Sequence, residues 1–206
     1  MKRNPLIPHH YQSALLLIVG TIIAAYGITL AIHAGFGGAT LAILWQGVAK
    51  TLHITLGTAS FIIALVMLII VFFLDKKQIF WGTLIYQIIY SLMVDVFKNF
   101  VFYTNQGAIN FCIMLLGVAI FSAGNGIYSA ANLGKGPYEA LTFSLHNKTG
   151  LQIRTIRILF DLFFVIIGFL LGGTPGLCTV VTLFLSGPMM QFVYKKASSL
   201  HNNRPF

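Results

Sequence analysis

The chain has 206 residues, of which 57% are hydrophobic and 8% charged, with a mean hydropathy of +0.86 and a net charge of +9. A soluble globule would have no interior for so much apolar surface, so the composition calls for the bilayer as solvent. The basic residues sit between or beside apolar runs rather than in one stripe, which argues for membrane topology and against nucleic acid as a partner.

Residues 11–32 form a charge-free run of membrane length without the cleavage site of a secretory signal, and read as a retained first helix. Long apolar windows with polar flanks, charge-free in all but the third and fifth, predict six spanning helices over residues 13–33, 56–74, 78–97, 108–131, 153–171 and 177–194. The expected fold is therefore all-α, a polytopic membrane protein forming a single membrane domain over 1–206. Asp75, Lys76 and Lys77 read as a tight turn between the second and third spans. At the end of the third span Asp95 and Lys98 have the i,i+3 spacing of an ion pair.

Two further segments, 38–50 and 137–148, are apolar helices of about three turns, too short to cross. Each follows a glycine cluster, Gly35, Gly37 and Gly38 in one case and Gly134 and Gly136 in the other, and each reads as a half-helix, re-entrant or interfacial. Pro137 suits a first helical turn. Glu139 lies in that turn, where the partial positive charge of a helix start favours a carboxylate; Thr40 is read as its counterpart, able to cap but not to ionise.

The chain also repeats itself. Gly20 and Gly27 are seven apart, as are Gly117 and Gly124, and residues 82–85 answer 178–181, which sets Asp95 opposite Gln191. The repeats are expected over 13–97 and 108–194; three spans in each turn the second copy upside down, the plan of many secondary transporters. The paired glycines permit close packing of the first and fourth spans. Six spans with a cytoplasmic N-terminus place Lys2, Arg3, Lys76, Lys77, Lys135, Lys148, Arg154, Arg157, Lys195, Lys196 and Arg204 inside and leave Lys50 and Lys98 outside, so both termini are expected in the cytoplasm.

Gly134-Lys135-Gly136-Pro137-Tyr138-Glu139, Thr149-Gly150, the spaced Arg157 and Asp161, Gly172-Gly173-Thr174-Pro175-Gly176 and Ser186-Gly187-Pro188 together resemble the YczE/YyaS/YitT type of bacterial integral membrane proteins. Cys178 stands where a glycine is usual. The resemblance is specific over residues 134–192 and looser over the first half. It implies a polytopic protein of the bacterial cytoplasmic membrane and carries no established activity.

Asp161 is the sharpest functional candidate. It lies seven residues beyond Arg154, roughly 10 Å deeper along a helix, where an unpaired charge costs roughly 2.5–3.5 kcal/mol. Arg157, one turn earlier, is its expected partner. The pair reads equally as a proton- or cation-coupling site, an anchor for a polar substrate, or a buried strut. The five glycines free backbone N–H groups that suit an anion, or simply make turns. Gln46, Gln87, Asn125 and Gln191 are either interhelical hydrogen-bonding glue, worth about 1 kcal/mol each, or part of a pathway.

Cys112 and Cys178 fall inside predicted helices and read as apolar free thiols. His9, His10, His33, His53, His146 and His201 lack metal-ligand spacing, and the patterns of hydrolytic catalysis are absent, so neither a metal, a cofactor nor an enzymatic activity is expected. The function expected is movement of a small polar or anionic solute bound between the two inverted halves. The alternatives are a substrate-binding subunit of a larger importer and a non-transporting regulatory or accessory protein.

Overall fold

A computed structural model describes residues 9–101 and 103–202. Lys2, Arg3 and Arg204 lie outside the described residues, and of His9, His10 and His201 only the backbone is described. Among the described residues there are eight α-helices and no strand: α1 His9–His33, α2 Thr40–Leu52, α3 Leu56–Leu74, α4 Trp81–Phe97, α5 Gly107–Ala130, α6 Pro137–Thr149, α7 Ile153–Leu170 and α8 Leu177–Asn202. Short 3-10 turns cover Lys76–Gln78 and Lys98–Phe100.

Four of these helices, α1, α3, α5 and α8, are long and apolar enough to cross a membrane. The 17 residues of α4 rise about 25 Å, somewhat less than a hydrocarbon core of ~30 Å. The 18-residue α7 has nearly the length but carries Arg154, Arg157 and Asp161. Helix α4 begins at Trp81 rather than 78 because Gln78 belongs to the preceding turn, where its side-chain amide donates to Asp75 Oδ2 (2.9 Å) and Lys77 N–H donates to Asp75 Oδ1 (3.2 Å). Helix α8 runs past the expected end at 194 because nothing in the Lys-Lys-Ala-Ser-Ser-Leu stretch that follows breaks a helix.

Burying such helices requires that their hydroxyls find partners. Thr21 donates to Leu17 O (2.6 Å), Thr29 to Ala25 O (2.7 Å) and Ser122 to Val118 O (2.7 Å), each within its own helix. Helices α1 and α5 form the centre of the bundle. Gly20 lies against Gly124 and Tyr128, and Gly27 against Gly117 and Phe121; in return Gly124 faces Ala24 and Gly20, and Gly117 faces Ala31 and Gly27. Numbers rise along one helix as they fall along the other, so the two are antiparallel. A β-carbon at any of these four glycines would collide with the opposite backbone, which is why small residues recur there.

Around this pair, α4 packs on α1 and α3, and α8 packs on α5. The short α2 lies on α7 and α3, and the short α6 on α3 and α7. Positive φ angles recur 97 residues apart, at Gly35 and Asn132, Gly37 and Gly134, and His53 and Gly150, so the chain turns alike into and out of both short helices. At that spacing Thr40 matches Pro137 and Glu139 matches Ala42; the expected pairing of Thr40 with Glu139 is out of register by two residues.

Asp95 makes no ion pair with Lys98. Its Oδ1 accepts the Gly57 N–H (2.8 Å) and its Oδ2 the Thr55 hydroxyl (2.5 Å), because the free N–H groups opening α3 hold a carboxylate better than a lysine at the bundle surface. Both cysteines are free thiols on helices as expected, Cys178 buried and Cys112 exposed.

Candidate functional site

A cavity of about 910 Å³ lies between α2, α3, α4, α5, α6, α7 and α8, with Ile28 of α1 reaching it as well. Its walls are mostly apolar; its charged groups come from the start of α6 and from one face of α7, and further polar groups come from the start of α2 and from α3, α4, α5 and α8, among them Ser60, Gln87, Asn125 and Thr182. Ala39 and Thr40 bring the beginning of α2 to it, Pro137, Tyr138 and Glu139 the beginning of α6, and Arg154, Arg157 and Asp161 the face of α7. Pro137 at the first position of α6 and the glycine turns before both helices allow the chain to reverse and aim two helix starts at one place.

The expected pairing within α7 is replaced by contacts across helices. Asp161 Oδ1 accepts the Thr40 hydroxyl (2.7 Å) and the Tyr138 hydroxyl (3.3 Å). Arg157 instead places Nη2 3.5 Å from Glu139 Oε1, the one ion pair among the described residues, with its guanidinium 5.4 Å from the Tyr138 ring centre. On an isolated helix an i,i+4 pair forms for want of other partners; here α2 and α6 supply better-placed ones. Arg157 Nε has no hydrogen-bond partner, and Arg154 is exposed and unpaired.

Of the remaining candidates, Asn125 and Gln87 line the cavity. Asn125 Oδ1 accepts the Tyr86 hydroxyl (3.1 Å), while Gln87 Nε2 donates to Ser91 Oγ (2.8 Å) within α4 and to Ser60 O (3.4 Å) on α3, and so serves the α4–α3 contact. Gln46 and Gln191 do not line it: Gln46 Oε1 accepts Thr174 N–H (3.0 Å) and the Thr174 hydroxyl (2.8 Å), tying α2 to the turn before α8, and Gln191 is exposed. Nor do Gly35, Gly37, Gly38, Gly134 or Gly136. These glycines make turns: the Gly38 N–H donates to Thr174 O (3.1 Å), Gly37 lies against Pro175 and Gly176, and Gly134 against Thr83.

Trp45 and Tyr90 carry no separate signal in the sequence. Both line the cavity, both are more than nine-tenths buried, and neither Trp45 Nε1 nor the Tyr90 hydroxyl has a partner. With Tyr86 they form an aromatic wall, Tyr86 stacking on Tyr90 at 5.4 Å and Trp45 meeting Tyr90 edge-on at 5.9 Å, and Tyr128 backs it by stacking on Tyr86 at 4.1 Å. The one available cue was the i,i+4 spacing of Tyr86 and Tyr90, which in an apolar helix is also ordinary core packing. Among the described residues no three His, Cys, Asp or Glu side chains gather as metal ligands.

Comparison with known proteins places this geometry in a family whose activity is unassigned. A family described as a family of unknown function, DUF6198, matches residues 11–195, so the likeness extends through the first half of the chain as well as the second. An uncharacterized protein of Haemophilus influenzae is 26% identical over 182 residues, 88% of this chain and 83% of that relative. The uncharacterized membrane protein YczE of Bacillus subtilis is 29% identical over 194 residues, 89% of this chain and 86% of YczE, and the uncharacterized protein YyaS of the same organism is 25% identical over 176 residues, covering 84% and 87%. These relatives bear out the resemblance read from residues 134–192. No solved structure matches.

Proposed function

We propose that this chain, which belongs to DUF6198, a family of unknown function, transports small polar or anionic solutes across the bacterial cytoplasmic membrane. In this reading α1, α3, α4, α5, α7 and α8 all cross the bilayer, in two inverted halves over 13–97 and 108–194, with both termini in the cytoplasm. The antiparallel, reciprocal contact of Gly20 and Gly27 with Gly124 and Gly117 and the positive φ angles recurring at 97 residues support the inversion. The excess of Lys and Arg on one side of the six spans supports the orientation.

The single observation that carries the reading is the convergence on Asp161. Thr40, first residue of α2, and Tyr138, second residue of α6, both donate to its carboxylate from short helices that start at the cavity. Paired half-helix starts at mid-membrane depth present two positive dipole ends to an anionic group, and an acid between them suits a coupling proton or cation. Arg157, Glu139 and Asn125 complete the polar end of the site.

Reconstitution into liposomes with a panel of small organic anions and an imposed proton gradient tests this. Uptake or exchange is expected, with gradient dependence lost in Asp161→Asn. Absence of both, or identical behaviour of the wild-type and variant proteins, overturns it.

A further inference from the structure

Two pairs of neighbouring helices that correspond in the proposed doubling differ in one respect. Helices α3 and α4 pack along one another, whereas α7 and α8 do not. The first pair is closed by polar contacts: Ser60 Oγ to Ser91 Oγ at 2.9 Å, Gln87 Nε2 to Ser60 O at 3.4 Å, and Gly57 N–H to Asp95 Oδ1 at 2.8 Å, with Gly57 pressed against Ser91. Ninety-seven residues on from Gly57 and Ser60 stand Arg154 and Arg157, and in the register of residues 82–85 with 178–181, Gln87 and Ser91 give way to Leu183 and Gly187. Two small residues have become arginines; of the polar groups opposite them Gln87 has become apolar, Ser91 has lost its side chain, and Asp95 has become Gln191, which is exposed. The space in front of Gly187 is empty.

The resulting cleft joins the cavity to the outer surface of the bundle. Ile158 and Leu162 on α7 and Leu183 and Phe184 on α8 line the cavity and are at the same time 57%, 56%, 50% and 73% exposed. Hydrocarbon therefore meets the cavity sideways along an apolar rim. Just inside stand cations and donors without acceptors: unpaired Arg154, Arg157 with its free Nε, and the buried Trp45 Nε1 and Tyr90 hydroxyl. With the arginines at the cytoplasmic start of α7, that end faces the leaflet surface richest in anionic lipid.

We propose that the α7–α8 cleft is a lateral portal that admits an anionic phospholipid from the inner leaflet. Its phosphate sits at Arg154 and Arg157, its headgroup oxygens meet the donors in the cavity, and its acyl chains lie in the rim between Ile158, Leu162, Leu183 and Phe184. This rests on reading the cavity as a binding site and on the orientation given above, but not on transport.

The test uses the full chain in phosphatidylcholine vesicles doped with phosphatidylglycerol carrying a photoactivatable diazirine in an acyl chain, with the same probe on phosphatidylcholine as control. Labelled peptides are located by mass spectrometry. Preferential labelling of α7 and α8 at the rim by the phosphatidylglycerol probe is expected, falling about fivefold for each arginine replaced in Arg154→Gln and Arg157→Gln. Gly187→Trp, which fills empty space, should remove the rim labelling while leaving the thermal unfolding midpoint in place. Equal labelling by both probes, labelling that survives Gly187→Trp, suppression of labelling by soluble glycerol phosphate, or cross-linking of the cleft to a second copy of the chain instead of lipid overturns the proposal. The readout is occupancy, so labelling without solute flux sinks the transport reading alone, and flux without labelling sinks the portal alone.

Discussion

Asp161 and Arg157 share a face of α7 at the spacing that stabilises an ion pair on a free helix, yet each finds its partner elsewhere. A carboxylate among apolar side chains needs donors, and two hydroxyls from helix starts meet that need with less bulk than a guanidinium. Thr40→Val keeps the shape of the side chain and removes the 2.7 Å hydrogen bond, so it should lower stability in detergent by about 1–3 kcal/mol, measured by thermal or denaturant unfolding. A change below a few tenths of a kcal/mol would show that the carboxylate draws its support from elsewhere. Asp161 was legible because a charge inside an apolar run is conspicuous. Trp45, Tyr90 and Tyr138 were not, because aromatic residues in membrane helices are ordinary, and only the fold shows which of their polar atoms lack partners or converge on one carboxylate.

At the scale of the element, long apolar windows and glycine clusters located every helix among the described residues, because in a bilayer an apolar run has few alternatives to the helix. What they left out were contacts made by helix ends. The turn after α3 is one such junction: Asp75 accepts from Gln78 Nε2 (2.9 Å) and from Asn147 Nδ2 at the end of α6 (3.1 Å), tying α6 to the α3–α4 turn. Those hydrogen bonds, first from Gln78 and then from Asn147, hold the Asp75 carboxyl below its ordinary value of 3.8. A depressed carboxyl pKa contributes stability that is fully present above the unfolded value and lost as the pH falls through the folded one. The junction is therefore intact at neutral pH and loosens below about pH 3.8. Asn147→Ala should move the Asp75 titration, followed by carboxyl ¹³C shifts, back toward 3.8, and should bring acid unfolding to a slightly higher pH. An unchanged titration would mean that Asn147 does not support the carboxylate.

For the whole molecule, a regular sequence spacing becomes a test of orientation. Gly20, Gly27, Gly117 and Gly124 foretold the central contact, and the reciprocal pairing of first with last among them requires α1 and α5 to run in opposite directions. Departures from that symmetry, Arg157 where Ser60 stands and Gly187 where Ser91 stands, were invisible as departures until helix packing showed one gap closed and its counterpart open. Antiparallel centres alone do not fix which loops face the cytoplasm. In the proposed topology Phe36, after α1, and Lys135, after α5, lie on opposite sides of the membrane, since three further spans separate two otherwise matching turns. Cysteines introduced at these positions, Phe36→Cys and Lys135→Cys in a Cys112→Ser background that leaves only the fully buried Cys178, should react with a membrane-impermeant maleimide from opposite faces of intact and inverted vesicles. Lysine at 135 is also held by Gln78 Oε1 (2.8 Å) and lies 3.7 Å from the Phe143 ring centre, so melting temperatures must first show that its replacement leaves the fold in place. If both cysteines then label from one face, α4 does not cross. The inverted halves, the paired helix starts at mid-membrane depth and the cytoplasmic placement of Arg154 and Arg157 then fall together, because all three depend on six crossings.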